Sequence, residues 1–451
     1  MADVVRYGYF THLRRTVQLA WPIVMAQAIG MSAIFFDTIM VGHAGRDELA
    51  ALGAGRSLFI LFMIGGIGLL NGILVYAARN HGAGQLGECG RVWRAGLLYA
   101  LVIGSLGALL LGAGGGGLLV LLDVAPAVRD GGSRYLAFVA PTVMMGLLAQ
   151  ASTMFLHGVS NPKPAMLIQL LTLPVNISLN WVFIYGNLGA PEMGAGGAAL
   201  ATSVTSTLAA LGLYLYIANA LSLAHFRPRG SWRNLWSYGR TIRRFGLPVG
   251  VAGALEFFGM TALVLFAGRI GALSISALEV AFNLHLLAFL VSIGVSSATA
   301  VRVGNAVGRK DTADLGAVVL SGISVGLISM TPFLVGYMLI PEPFAELFIK
   351  DTEVVTLAAS LLLFIAIAMP FDAIQMIVLH SLRALGDQWV SSLLQVLAFF
   401  VIMVSAGWGL AFTMGLGVYG LAMAMMIGAA SAAVMLAARF LLIKRRLLAA
   451  F

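Results

Sequence analysis

The chain has 451 residues, 60% of them hydrophobic and only 10% charged, with a mean hydropathy of +0.96. A water-soluble globular domain of that composition would aggregate, so the chain reads as a polytopic membrane protein whose 54 glycines let spanning helices approach closely. The net charge of +9 does not point to nucleic acid, because the basic residues punctuate the apolar runs instead of forming one stripe; the single cysteine, Cys89, excludes intrachain disulfides, cysteine zinc sites and redox pairs.

The opening stretch "MADVVRYGYFTHLRRTVQLAWP" lacks the short apolar core and small-residue cleavage site of a secretory signal, so no cleaved leader is expected. Apolar runs of about 20 residues then predict twelve membrane helices. They begin near residues 17, 49, 95, 135, 164, 195, 246, 273, 314, 354, 388 and 417. With this layout 21 of the 27 basic residues, Arg14, Arg15, Arg79, Lys163, Arg302 and Arg383 among them, fall on one face. Five (Arg46, Arg129, Arg134, Arg269 and Lys350) fall on the other, and Arg56 lies inside the second span. That asymmetry is what the positive-inside rule asks of a correct span count, and it sets both termini on the cytoplasmic side of the membrane.

The longest cytoplasmic connection, "HFRPRGSWRNLWSYGRTIRR" (225–244), is basic and lies at mid-chain. The expected organisation is a six-helix lobe over 1–222, a basic linker over 223–245 and a second six-helix lobe over 246–451. A shift of 226 residues superimposes the two halves: Pro22 meets Pro248, Gly42 meets Gly268, Gly45 meets Gly271, Gly82 meets Gly308, and "LHGVSN" meets "LRALGD". At a shift of 223 "GAGGAALA" meets "GLGVYGLAMA". Six spans per half leave both halves in the same orientation, so the expected fold is an all-α pair of lobes related by a parallel repeat around a central cavity.

Few ionisable groups remain inside the spans. At ~1.5 Å per residue from the nearest cytoplasmic arginines, Glu256 and Asp372 lie at roughly 18 and 16 Å, near mid-membrane, and Asp37 at roughly 33 Å, in the outer half of the first lobe. Asn176 and Asn180, four apart on one helix face, and Thr202 reach a similar depth to Asp37. Their oxygens could join Asp37 around a small hard cation, or could hydrogen-bond a protonated Asp37. Glu279 and Arg56 lie early in their spans and are read as snorkelling to the interface; His157, His285 and His380 show no metal spacing and are read as packing contacts. No nucleophile–base motif, phosphate loop or metal cluster is seen, so an enzyme is not expected.

"WPIVMAQ", "DTIMVGHAG", "GLPVGVAGALE", "GNAVGRKD", "LRALGD" and the Asp after "AMP" together resemble the multidrug and toxic compound extrusion (MATE) family, and its NorM-like branch in particular. The resemblance implies a cofactor-free monomer in the lipid bilayer that exports bulky, mostly cationic compounds in exchange for inward-moving Na⁺ or H⁺. By position, it implies that Asp37, Asn176, Asn180 and Thr202 form the N-lobe cation or proton site. Glu256 and Asp372 match the C-lobe acidic site, so Na⁺ is expected either at Asp37 or between Glu256 and Asp372. Two departures stand out: Glu279 replaces the usual neutral polar residue, and no tyrosine accompanies Asp372 in the tenth span. Two rival functions keep the helices but change the task. A flippase for lipid-linked anionic precursors would want basic residues lining its cavity, where only Arg56 qualifies. A channel or a scaffold would need no ion gradient.

Overall fold

The computed structural model describes residues 8–226, 234–311 and 313–449. Arg227, Arg229 and Arg233 of the expected linker lie outside the described residues. Twelve helices are long and apolar enough to cross a membrane. They are α1 Tyr9–Ala44, α2 Arg46–Gly82, α3 Leu86–Leu121, α4 Val128–Gly158, α5 Lys163–Tyr185, α6 Ala195–Asn219, α7 Arg240–Ile270, α8 Ala272–Gly308, α9 Leu315–Leu339, α10 Thr352–Ala384, α11 Gln388–Thr413 and α12 Gly417–Arg446. No strand occurs among the described residues. Apolar side chains such as Leu109, Leu171, Leu265, Ile328 and Val434 stand exposed on these helices, which is the solvation lipid supplies and water does not.

The repeat is visible in the backbone. Gly45, between α1 and α2, has φ 146°, and Gly271, between α7 and α8, has φ 151°. Only glycine enters that region without strain, so the same corner is built twice with the same residue. Positive φ recurs at Gly84 and Lys310 and at Ser160 and Gly386, again 226 apart, and at Gly194 and Gly417, 223 apart. Packing repeats as well. In the first half α4 touches α2, α3 and α6; in the second its counterpart α10 touches α8, α9 and α12. These two are the most buried of the twelve helices, so each core is centred on the fourth helix of its half.

The chain divides into two compact units, one of residues 25–250 (the N unit) and one of residues 8–24 with 251–449 (the C unit). The divisions fall inside α1 and α7, close after Pro22 and Pro248, so each first helix contributes its opening segment to the unit built from the other half. Side-chain contacts account for the exchange. Arg302 of α8 donates to the His12 carbonyl at 2.9 Å, to His12 Nδ1 at 2.7 Å, to Thr16 Oγ1 and to Ser321 Oγ at 3.0 Å, tying the start of α1 to α8 and α9. In the N unit Phe245, 1% exposed, packs edge-on against Tyr76 with ring centroids 5.8 Å apart.

Arg383, counted from sequence on the cytoplasmic face, is only 4% exposed and lies in the interior of the C unit, in the last turn of α10. Counting basic residues by face treats each as solvated, and a guanidinium with buried hydrogen-bond acceptors escapes that assumption.

Candidate functional site

In the N unit, α5 is built inside out. Leu167, Leu170, Leu171 and Trp181 are exposed, whereas its buried residues are Ala165, Asn176, Asn180 and Ile184. A helix whose inward face is made of amides has partners there, because an unpaired amide in an apolar interior is costly. Asn180 Nδ2 donates to Asp37 Oδ1 at 2.6 Å and to Asn176 Oδ1 at 3.3 Å. From α6, Thr202 Oγ1 donates to Asp37 Oδ2 at 3.3 Å. Tyr185, at the end of α5, donates its hydroxyl to the Met40 carbonyl at 2.8 Å, fixing α5 against α1 one turn beyond the acid. The four residues expected to share a site are thus brought together, with Asp37 8% exposed.

Asn180 Oδ1 is buried without a hydrogen-bond partner. Buried polar atoms are almost always satisfied, so an oxygen left open beside a carboxylate is a place for a proton-bearing group or a small hard cation. Arg56 belongs to this neighbourhood instead of snorkelling outward. Its Nη1 donates to Thr38 Oγ1 at 2.7 Å, beside Asp37 in sequence, and it also hydrogen-bonds the buried Tyr135. An arginine ten residues into a helix is indistinguishable by position from one that reaches the interface; the hydroxyls of Thr38 and Tyr135 turn it inward.

In the C unit, Asp372 sits on the central helix α10, 4% exposed, and Glu256 on α7 lies within electrostatic reach of it. α7 and α11 meet closely: a Cβ at Gly259 would lie 2.6 Å from the Phe399 carbonyl oxygen, so only glycine fits. One turn back along each helix, Gln395 Nε2 donates to Glu256 Oε2 at 2.5 Å. Beyond Gln395 the helix widens into two π turns, Leu397–Ile402 and Gly409–Thr413, a geometry concentrated at functional positions. Arg383 Nη2 donates to Gln395 Oε1 at 2.7 Å and approaches Ser392 Oγ at 3.5 Å. His285, expected only to pack, puts Nε2 3.7 Å from Asp372 Oδ2 and stacks on Phe289.

Gln375, three residues beyond Asp372, is fully buried with neither amide atom partnered, and His285 Nδ1 is buried unpartnered too. These open polar atoms call for water or a polar guest. Glu279 is exposed on α8, where its backbone carbonyl accepts from Asn283. Gln375, Gln395, Arg383 and His285 were missed because attention to ionisable groups passes over amides, the charge-by-face count claims arginines and isolated histidines look like packing. The available signal was spacing: Gln375 follows Asp372 by three, on the same helix face. Among the described residues no trio of His, Cys, Asp and Glu is arranged to hold a metal ion.

The MatE family model matches twice, over residues 22–182 and 248–408, segments again offset by 226. The multidrug resistance protein NorM of Vibrio cholerae is 30% identical over 441 residues, covering 96% of each chain. NorM of Aliivibrio fischeri is 28% identical over 445 residues, covering 97% of this chain and 96% of the relative. The crystal structure of the eukaryotic MATE transporter AtDTX14 superposes with a TM-score of 0.88 at 21% identity over 97% of both chains, a likeness of fold. With a double match that follows its own internal repeat and relatives aligned nearly end to end, the chain belongs to the MatE family, among its NorM-like members.

Proposed function

We propose that this protein is a secondary active multidrug efflux transporter of the inner membrane. It exports bulky, mostly cationic compounds by antiport with Na⁺ or H⁺, through alternating access of the rocker-switch kind. Its NorM relatives are named for multidrug resistance, which supports the cargo class. The observation that carries the exchange chemistry is Asp37: a carboxylate in a membrane-spanning helix with both oxygens hydrogen-bonded and an open amide oxygen, Asn180 Oδ1, beside it. A charged group at that depth is costly alone, and a proton or Na⁺ that comes and goes neutralises it. In the C unit Glu256 and Asp372 take the cationic drug, or a second ion, on the same principle. When ion and drug exclude one another at an acid, the inward gradient drives the drug's release, and each 100 mV of membrane potential contributes ~2.3 kcal/mol per charge carried inward. The proposal has both termini cytoplasmic, one chain as the working unit and no cofactor.

The test is ethidium efflux from proteoliposomes with the Na⁺ and proton gradients collapsed separately. Antiport predicts that efflux stops with one of the two. Efflux that persists with neither gradient would leave a channel.

A further inference from the structure

An arginine only donates hydrogen bonds, so the atom of Gln395 that meets Arg383 must be the amide oxygen. The amide nitrogen is thereby turned toward Glu256, whose Oε2 accepts it. Arg383 is 4% exposed, and its charge is answered by Glu256 across this single amide. A buried guanidinium held so belongs to the charge of the acid site, because removing either partner would leave the other uncompensated. Counted formally, Glu256, Asp372 and Arg383 carry one negative charge together, where the two carboxylates alone carry two. The histidines of this region, His285 beside Asp372 and His380 bonded to the Met376 carbonyl, add none in their neutral forms.

Resting on the reading of Glu256 and Asp372 as a cation site, we propose that Arg383, acting through Gln395, sets that site at one net negative charge and so selects singly charged cations over doubly charged ones. Arg383 is a positioning residue: it acts on the cargo through Gln395 and Glu256.

The experiment compares binding of ethidium, with one permanent charge, and propidium, with two, to the purified protein by fluorescence titration at fixed pH and salt. Arg383→Gln keeps a donor for Gln395 but removes the charge, and its preference should move toward propidium by about tenfold. Arg383→Lys should keep the original preference. Glu256→Gln should weaken ethidium binding, and adding Arg383→Gln to it, which returns the formal charge to minus one, should restore much of it. A merely structural Arg383 gives no such rescue. A wild-type ethidium-to-propidium ratio in folded Arg383→Gln, or a double variant no better than Glu256→Gln, overturns the proposal. If Arg383→Gln does not fold, Gln395→Glu keeps an acceptor for Arg383 while taking the formal charge to minus two, and it should shift the ratio in the same direction; an unchanged ratio there also overturns the proposal. Wild-type ethidium binding in both Glu256→Gln and Asp372→Asn would instead remove the cation-site reading itself, and this inference with it.

Discussion

The two units handle their buried acids differently. In the N unit one carboxylate, Asp37, is bonded directly by Asn180 and Thr202, and an arginine stands one residue away on Thr38. In the C unit two carboxylates share a region, reached through an amide from Arg383 and by an imidazole at 3.7 Å. The repeat does not extend to these groups. At the offset of 226, Asp37 corresponds to Leu263, Glu256 to Gly30, Asp372 to Gly146 and Asn180 to Ala406. Corners and helix packing are duplicated, whereas chemistry is placed once. The backbone duplication preserves a scaffold, and each unit carries its own acids at its own positions on it: Asp37 and Glu256 lie on the first helix of their halves at non-matching places, and Asp372 on the fourth helix of the second half.

That contrast can be broken most sharply at the acids. Asp37→Asn, Glu256→Gln and Asp372→Asn should each reduce drug resistance in a sensitised host to the level of cells without the transporter, while membrane content and elution of the purified protein stay normal. Full resistance in all three would end the antiport mechanism. Next in size is Asn180→Leu, which removes the shortest bond to Asp37 and leaves a buried carboxylate under-satisfied. A loss of about 1–3 kcal/mol, roughly five- to 150-fold in initial efflux rate, is expected, and a wild-type rate would show that Asp37 is held by other means. Gly259→Ala addresses the C unit's architecture without touching a polar atom. Its Cβ would press on the Phe399 carbonyl, so a cost of about 1–3 kcal/mol should appear as a lower melting temperature in detergent, together with weakened ethidium binding as Gln395 and Glu256 separate. The smallest effect is expected of Thr202→Val, whose 3.3 Å bond to Asp37 is the longer one; a three- to fivefold fall in efflux rate, about 1 kcal/mol, should be measurable in vesicles.

Spans, repeat and the clustering of side chains around Asp37 were legible because each leaves a local mark. Apolar run length announces a helix, and the glycines at 45 and 271 stand where only glycine can turn. Asn176 and Asn180 are separated by one helical turn in an otherwise leucine-rich segment. The C-unit relay left no such mark. Gln395 and Arg383 are joined by the meeting of α7, α10 and α11, and nothing in "SSLLQVLAFF" says which neighbour its amide will find. The bonds of Arg56 left no mark for the same reason, since they depend on hydroxyls from two other helices. The exchanged opening segments of α1 and α7 were hidden too, because covalent order suggests a cut at the linker and packing determines otherwise.

The inverted build of α5 bears on how the chain enters the bilayer. Leu167, Leu170 and Leu171 are exposed in the folded protein, yet they supply the greasiness by which a segment holding two asparagines and two prolines partitions out of the translocon. Polar replacements there, the standard remedy for a sticky surface, would lose about 2.5–3.5 kcal/mol per charge introduced near the helix centre. The first casualty would be insertion of that segment, before any question of transport arose.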